Sequence, residues 1–282
     1  MQEPENIVSG RYQRRIVSRP GVGATATVRQ VSEVRIARLL VQQPSLIVVK
    51  RGTKVVRQGD LDITAVAGDA VFLRGGRFDV VNKPDGKGLY EAFWLAWTSD
   101  SLAKYRATLA CPPRDIVYRL SDISAPMAET LSRAHSAVRD PDLPDTIALH
   151  RIEEVLPWLL HCGVDIAPLD DRGLANRVTA LISANPGFEW SLKNLARHLS
   201  VSEATLRRHL ATGGTRFSEL LIDARMSAAL SLLQSTDRPV EHIAMDVGYN
   251  SPSRFAVRFR ARFGFAPTAI RGHNRPIRAL AI

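Results

Sequence analysis

The 282-residue sequence predicts a two-domain α+β protein: a β-barrel at the N-terminus, a helical connecting region, and an all-α tandem helix-turn-helix unit at the C-terminus. Three observations carry that reading. Residues 46–97 alternate short β-rich runs with Gly- and Asp-containing turns at regular spacing, as antiparallel barrels and sandwiches do. After residue 190, one pattern of two short helices around a tight turn is written twice. The formal charge of +10 is also uneven: residues 172–282 hold 16 of the 38 Lys/Arg but only 7 of the 28 Asp/Glu.

The predicted strands are Leu46–Lys50, Thr53–Arg57, Leu61–Val66, Ala70–Leu73, Phe78–Val81 and Tyr90–Trp97. Turn signals separate them: Arg51-Gly52, Gly59-Asp60, Gly68-Asp69, Gly75-Gly76 and Pro84-Asp85-Gly86. Metal-dependent barrels of this kind need two or three histidines converging with a carboxylate. The first histidine is His135, beyond every predicted strand, so a histidine-based metal site is excluded. A nucleophile elbow and a phosphate-binding glycine loop are also missing. Phe72, Phe93, Trp94 and Trp97 are expected to fill the barrel core, with a ligand cavity as the rarer use of such aromatics.

A helix over Ala125–Val138 is expected next, ended by Asp140-Pro141-Asp142-Leu143-Pro144. Asp145 is expected to cap a second helix whose broad apolar face includes Ile152, Val155, Leu156 and Leu159. Pro157 should kink that helix or open a separate turn. Residues 162–173 read as a linker. Cys111 and Cys162 lie far apart and outside metal-ligand spacing, which argues against a disulfide or zinc scaffold.

The first copy of the repeated pattern runs Ser191–Leu210 and the second Val240–Phe259. Each has an alanine (Ala196, Ala244) where two helices must cross closely, four residues before a turn (Ser200, Gly248). Each then has a serine placed to cap a second helix (Ser202, Ser251), and that helix bears arginines. Leu206 and Leu210, and likewise Phe255 and Phe259, should point inward. That leaves Ala204, Thr205, Arg207 and Arg208 outside in the first copy, and Ser253, Arg254, Val257 and Arg258 in the second. Between the copies, apolar residues recur at helical spacing from Phe217 to Gln234. Such a helix is about 27 Å long, against about 34 Å between successive major-groove faces.

On these residues the chain resembles the AraC/XylS family of bacterial transcription regulators. The resemblance covers Leu174 to Arg271 and is most specific over Ile243–Pro267. The connecting segment Arg225–Leu233 also matches the family's pattern. By resemblance, the base-reading positions are Ala204, Arg207 and Arg208 in the first copy and Ser253, Arg254 and Val257 in the second. The full expected DNA-binding set adds Ser202, Thr205, Ser251, Arg258 and Arg260. Two departures stand out. Ser200 replaces the usual glycine, which suggests a different turn geometry, and Val257 stands where arginine is common.

The domain organisation implied is a cupin-like barrel over 1–120, a helical dimerisation or linker region over 121–171, the DNA-binding unit over 172–275 and a tail over 276–282. The implied function is a sequence-specific regulator, an activator by resemblance. Its implied partners are double-stranded promoter DNA, RNA polymerase and a second copy of the chain. A small-molecule effector or a regulatory protein would act through the barrel. No cofactor, catalytic residue or metal is implied. No apolar run reaches membrane-spanning length, and the opening residues lack a secretory build, so a cytoplasmic location is expected. The alternative is a DNA-repair or ligand-modifying enzyme carrying the same module. It would need a reactive cysteine, a metal cluster or a catalytic acid in a helical domain, none of which the sequence offers.

Overall fold

The computed structural model describes residues 12–105, 116–167 and 173–271. Among these residues ten strands form two antiparallel sheets. They are β1 (Tyr12–Arg19), β2 (Gly23–Gln30), β3 (Val34–Val41), β4 (Ser45–Arg51), β5 (Thr53–Gln58), β6 (Leu61–Val66), β7 (Ala70–Leu73), β8 (Gly76–Lys83), β9 (Tyr90–Trp97) and β10 (Val117–Leu120). One sheet has the order β1-β2-β9-β4-β7-β10 and the other β3-β8-β5-β6. Their facing surfaces enclose an apolar interior, an open jelly-roll compatible with the cupin-like expectation.

The six strands read from sequence are all present. Strands β1, β2, β3 and β10 were not anticipated. β1 and β3 interleave arginines with apolar residues and β2 is rich in small and threonine residues, which hides a period-2 pattern: in β3, Val34 and Ile36 are buried while Arg35 is exposed. The register of β3 against β8 then shifts between Ile36 and Leu39. Arg38 occupies that bulge at φ +53°, and the bulge re-aims its side chain away from the sheet.

A short helix α1 (Ser99–Tyr105) follows β9. Three helices then cover the outside of the larger sheet: α2 (Ala125–Arg139), α3 (Asp145–Glu153) and α4 (Val155–His161). The break between α3 and α4 falls at Glu154, which puts Pro157 in a first turn where its missing N–H costs nothing. Asp145 is not the cap expected of it. Pro144 holds that position, and Asp145 pairs with Arg19 of β1 at 2.5 Å. The expected linker is partly structural. Val164 and Ile166 are buried against the barrel helices, and Asp165 pairs with Arg74 at 3.0 Å. Residues 168–172 of that linker, and Cys111, lie outside the described residues. Cys162 is an exposed free thiol.

His135 ties α2 to the larger sheet. The Thr25 hydroxyl donates to Trp94 O, so it accepts from His135 Nδ1–H at 2.7 Å. Nε2 is then the acceptor, facing Thr27 Oγ1 at 3.2 Å and Arg139 at 3.4 Å. Burial, reinforced by the nearby charges of Arg139 and Lys50, lowers the pKa of this imidazole to about 4.

The C-terminal helices are α5 (Leu174–Ala184), α6 (Leu192–His198), α7 (Glu203–Thr212), α8 (Phe217–Ser235), α9 (Val240–Asp246) and α10 (Pro252–Phe263), followed by a 3-10 turn over Pro267–Arg271. Helix α8 buries more than the single stripe its sequence suggests. Leu220, Ala224, Met226, Ala229, Leu230 and Leu233 are all buried, because α8 is packed by both helix pairs and by the sandwich. The two pairs differ in attachment. Residues of α6 and α7 share a separate apolar cluster with α5 and the start of α8. Those of α9 and α10 belong to one continuous core that runs into the sandwich interior.

Candidate nucleic-acid interface

The supporting helix of the first pair starts at a capping box. Ser191 Oγ accepts from Asn194 N at 3.1 Å, and Asn194 Oδ1 accepts from Ser191 N at 2.8 Å. Leu195, Ala196 and Leu199 are buried, so α6 presents its apolar side to α7. The turn is closed by Val201 N donating to Ala196 O at 3.0 Å. In the second pair Tyr249 N donates to Ala244 O at 2.9 Å, an equivalent bond. Ser200 sits at φ +55° and Gly248 at φ +84°. The different turn geometry expected from Ser200 is therefore absent. Serine adopts the left-handed conformation that glycine takes in the second copy, and the backbone bonding is preserved.

Both second helices are capped as expected. Ser202 Oγ accepts from Thr205 N at 3.0 Å, and Ser251 Oγ accepts from Arg254 N at 3.3 Å. Ser202 also meets the Thr205 hydroxyl at 2.8 Å. Thr205 is only half exposed, so its polar group serves the cap more than an outward face. Leu206 and Leu210 are buried in α7, as are Phe255, Phe259 and Phe263 in α10. Each buried phenylalanine contributes about 2–3 kcal/mol of apolar burial.

Outside lie Ala204, Arg207 and Arg208 on α7 and Ser253, Arg254, Val257, Arg258 and Arg260 on α10, all exposed. Two residues beyond one buried anchor and two before the next is the position opposite the buried seam. Arg208 occupies it on α7 and Val257 on α10. The sandwich covers neither of these outer faces.

Sequence reading did not assign a role to the residues that fix the two pairs relative to each other. Arg225 of α8 donates Nε to Pro186 O at 2.9 Å, one terminal nitrogen to Gly248 O at 3.1 Å and the other to Phe188 O at 3.1 Å. It thereby clamps the α5–α6 loop to the turn of the second copy. Burial lowers its pKa from the usual arginine value. A Cβ at Gly248 would fall 2.4 Å from this guanidinium, so glycine is required there for close approach as well as for its φ.

Asp223, also on α8, is the hub of a second cluster, with its side chain only 3% exposed. It meets Arg262 of α10 at 2.7 Å, Arg38 of the β3 bulge at 2.8 Å and Arg77 of β8 at 3.4 Å. The Arg262 guanidinium also donates to Arg38 O. Burial lowers the pKa values of Arg77 and Arg262, an effect the Asp223 charge opposes. The clue in the sequence is an aspartate set between Leu220 and Ala224 on an otherwise apolar helix face.

A cavity of about 620 Å³ lies between the two sheets, with α8 across its mouth. Its walls are mostly aliphatic and aromatic, among them Val28, Ile36, Val80, Phe93 and Trp94 from the sandwich and Leu230 and Leu232 from α8. Of the four aromatics expected to fill the core, Phe93 and Trp94 line this cavity. Phe72 and Trp97 instead pack beneath α2–α4. Lys54 and Asn82 are buried lining residues joined by a 3.0 Å hydrogen bond. No Asp or Glu lines the cavity among the described residues. No cluster of His, Cys, Asp or Glu suited to a metal is found among the described residues either.

The geometry defines a tandem helix-turn-helix module joined to a β-sandwich. A family model described as a helix-turn-helix domain matches residues 195–273. The ornithine utilization regulator of Pseudomonas aeruginosa is 32% identical over 174 residues, covering 61% of this chain and 51% of that protein. The urease operon transcriptional activator of Escherichia coli is 32% identical over 117 residues, covering 40% of each. The chain thus spans about half or less of the length of these curated relatives. Apo ToxT from Vibrio cholerae superposes with a TM-score of 0.71 at 14% identity, covering 89% of this chain and 97% of that one. ToxT bound to an unsaturated fatty acid gives 0.65 at 15% identity, covering 95% of each. These likenesses establish the shared two-part fold. Over its C-terminal module the chain is similar to bacterial transcription regulators, as its resemblance to the AraC/XylS family implies.

Proposed function

We propose that this chain is a sequence-specific, DNA-binding transcription regulator, an activator, that inserts α7 and α10 into successive major grooves. The observation that carries the reading is the pair of exposed, arginine-bearing helices held by one rigid connector. Helix α8 has 19 residues, or about 28 Å, which with its flanking pairs suits grooves about 34 Å apart. The excess of positive charge over residues 172–282 supplies phosphate neutralisation. Ala204, Arg207, Arg208, Ser253, Arg254 and Val257 face the bases in this reading, while Arg258 and Arg260 contact phosphates and Ser202, Thr205 and Ser251 set the helix starts.

The sandwich is the sensory part, over residues 1–120, followed by a connecting region over 121–171 and the DNA-binding unit over 172–275. Its cavity suits a small molecule with a long apolar body and a carboxylate. The apolar walls support that class, with the hydrogen-bonded side chains of Lys54 and Asn82 as polar groups in the lining. ToxT, of the same fold, has been solved with an unsaturated fatty acid and with a naphthalenyl butenoic acid. Such a ligand would touch α8 directly and so bear on the spacing of the two reading helices. The chain acts on DNA with RNA polymerase in the bacterial cytoplasm, as a homodimer, and carries out no catalysis. No helix among the described residues is long and apolar enough to cross a membrane.

The test is sequencing of the fragments that the purified protein retains from sheared host DNA at physiological salt. The expected result is a few promoters sharing a motif of two parts about one helical turn apart. Equal retention of all fragments, with and without a monounsaturated fatty acid, overturns the reading.

A further inference from the structure

We infer that Val257 reads a thymine 5-methyl group, so that the second half of the recognised sequence is selected by an apolar contact where the first is selected by Arg208. The inference rests on the proposed entry of α10 into the major groove. Val257 is 68% exposed, more than any other large hydrophobic side chain among the described residues. It lies at the outermost line of α10, opposite buried Phe255 and Phe259. Ser253, Arg254 and Arg260 surround it, all exposed and all polar or cationic.

Nothing in the fold asks for valine at this point. A β-branched residue at an exposed position inside a helix loses side-chain freedom and is a poorer helix former than alanine, lysine or arginine. The side chain is largely exposed within the chain, and a contact made on binding would give it the apolar partner it lacks there. In the major groove, thymine alone presents a methyl group, and small apolar side chains distinguish it by contact. The flanking arginines would hold α10 on the phosphates while the valine methyls meet the base. At the matching position of α7, Arg208 offers a bidentate donor pair suited to guanine O6 and N7.

The experiment begins with selection of tight-binding duplexes from a random pool by the full-length protein. Thymines in the selected sequence are then replaced singly by deoxyuridine, which removes only the methyl. The expected result is one position in the second half-site where the replacement weakens binding about fourfold, the value of one buried methyl. Val257→Ala should abolish that sensitivity and leave the melting temperature unchanged or slightly higher. Val257→Ser serves as a second variant, with the same loss of sensitivity expected. Equal methyl sensitivity in the wild type and both variants overturns the inference, as does insensitivity at every thymine. If Arg254→Ala still weakens binding in those cases, α10 does enter the groove and only the role of Val257 is lost. If no sequence is enriched and Arg254→Ala has no effect, the groove reading falls, and this inference with it.

Discussion

The two helix-turn-helix pairs follow one plan, but they are built into the molecule differently. The first, α6 and α7, packs on α5 and the start of α8 around a core of its own. The second, α9 and α10, shares its core with the interior of the sandwich, and α10 is further tied to β3 and β8 through Asp223. The first pair touches the sandwich only lightly among the described residues, where Leu40 of β3 packs against its cluster and Arg77 of β8 donates to Thr215 at 3.3 Å. The second is fastened to the sandwich, beside the helix that lines the cavity. A displacement in the sandwich would therefore bear on the second pair through a shared core, and on the first through α8 and these few contacts.

The largest test of that difference is Asp223→Ala. It leaves Arg38, Arg77 and Arg262 close together with no carboxylate between them, and breaking a buried ion pair in this way costs about 3–5 kcal/mol. Thermal melting should drop accordingly. Amide exchange should rise in α10 and β3 more than in α6 and α7. Uniform loosening of both pairs would contradict the unequal attachment.

Next in size are the paired substitutions Ala196→Leu and Ala244→Leu. Both alanines are buried at helix crossings, and overpacking there costs about 1–3 kcal/mol. The consequences should differ in reach. Ala244→Leu should also loosen β1 and β3, whereas Ala196→Leu should leave the sandwich protected. Identical exchange patterns from the two variants would mean that the cores are not separate.

These differences mark how far the sequence could be read. The repeated motif, both serine caps, the buried anchors and six strands are local patterns, and each is present. Strands β1 and β3 escaped because their arginines interrupt the apolar alternation, and β2 because it opens on small residues and threonines. Those arginines have distant partners: Arg19 meets Asp145, and Arg38 meets Asp223. The turn at Ser200 was misjudged because tertiary packing holds serine in a conformation that its own preference disfavours. The clamp of Arg225 was visible only as a motif letter, since its three acceptors are backbone carbonyls with no sequence signature. The cavity with Lys54 and Asn82 is likewise a product of sheet pairing across distant strands.

At the level of base reading, Arg208→Ala should cost about 1–3 kcal/mol of binding and relax preference at one position of the first half-site. Binding measured across single-base variants separates the outcomes. An equal loss on every sequence would make Arg208 a phosphate contact and remove the contrast with Val257.

Acid gives a smaller, reversible probe. The folded-state pKa of His135 is depressed, so the neutral ring is what folding favours. Its contribution is complete above about pH 6.5 and is lost as pH falls towards about 4. With part of the ring near solvent, this amounts to about 1–2 kcal/mol. Lowering pH from 7 to 5 should loosen the α2–sandwich contact first, because α2 packs in a cluster apart from the core shared with α10. His135→Gln should flatten that part of the stability–pH curve. An unchanged curve would place the acid sensitivity elsewhere.

The smallest effect comes from the two turns. Ser200 holds φ +55° with a side chain, which costs about 1 kcal/mol against glycine in this region. Glycine gives back part of that through its greater freedom when unfolded. Ser200→Gly should therefore raise stability by about 0.5 kcal/mol, seen as a melting shift of a degree or two. The reverse change in the other copy is not its mirror image. Gly248→Ser meets the same backbone cost and also drives a Cβ to 2.4 Å from the Arg225 guanidinium. It should displace the clamp on Gly248 O, Pro186 O and Phe188 O and destabilise by more than 2 kcal/mol. Equal and opposite shifts from the two substitutions would mean that the turns are interchangeable. An asymmetry would mean that backbone conformation is shared, while the neighbourhood of each turn is set by where its copy is anchored.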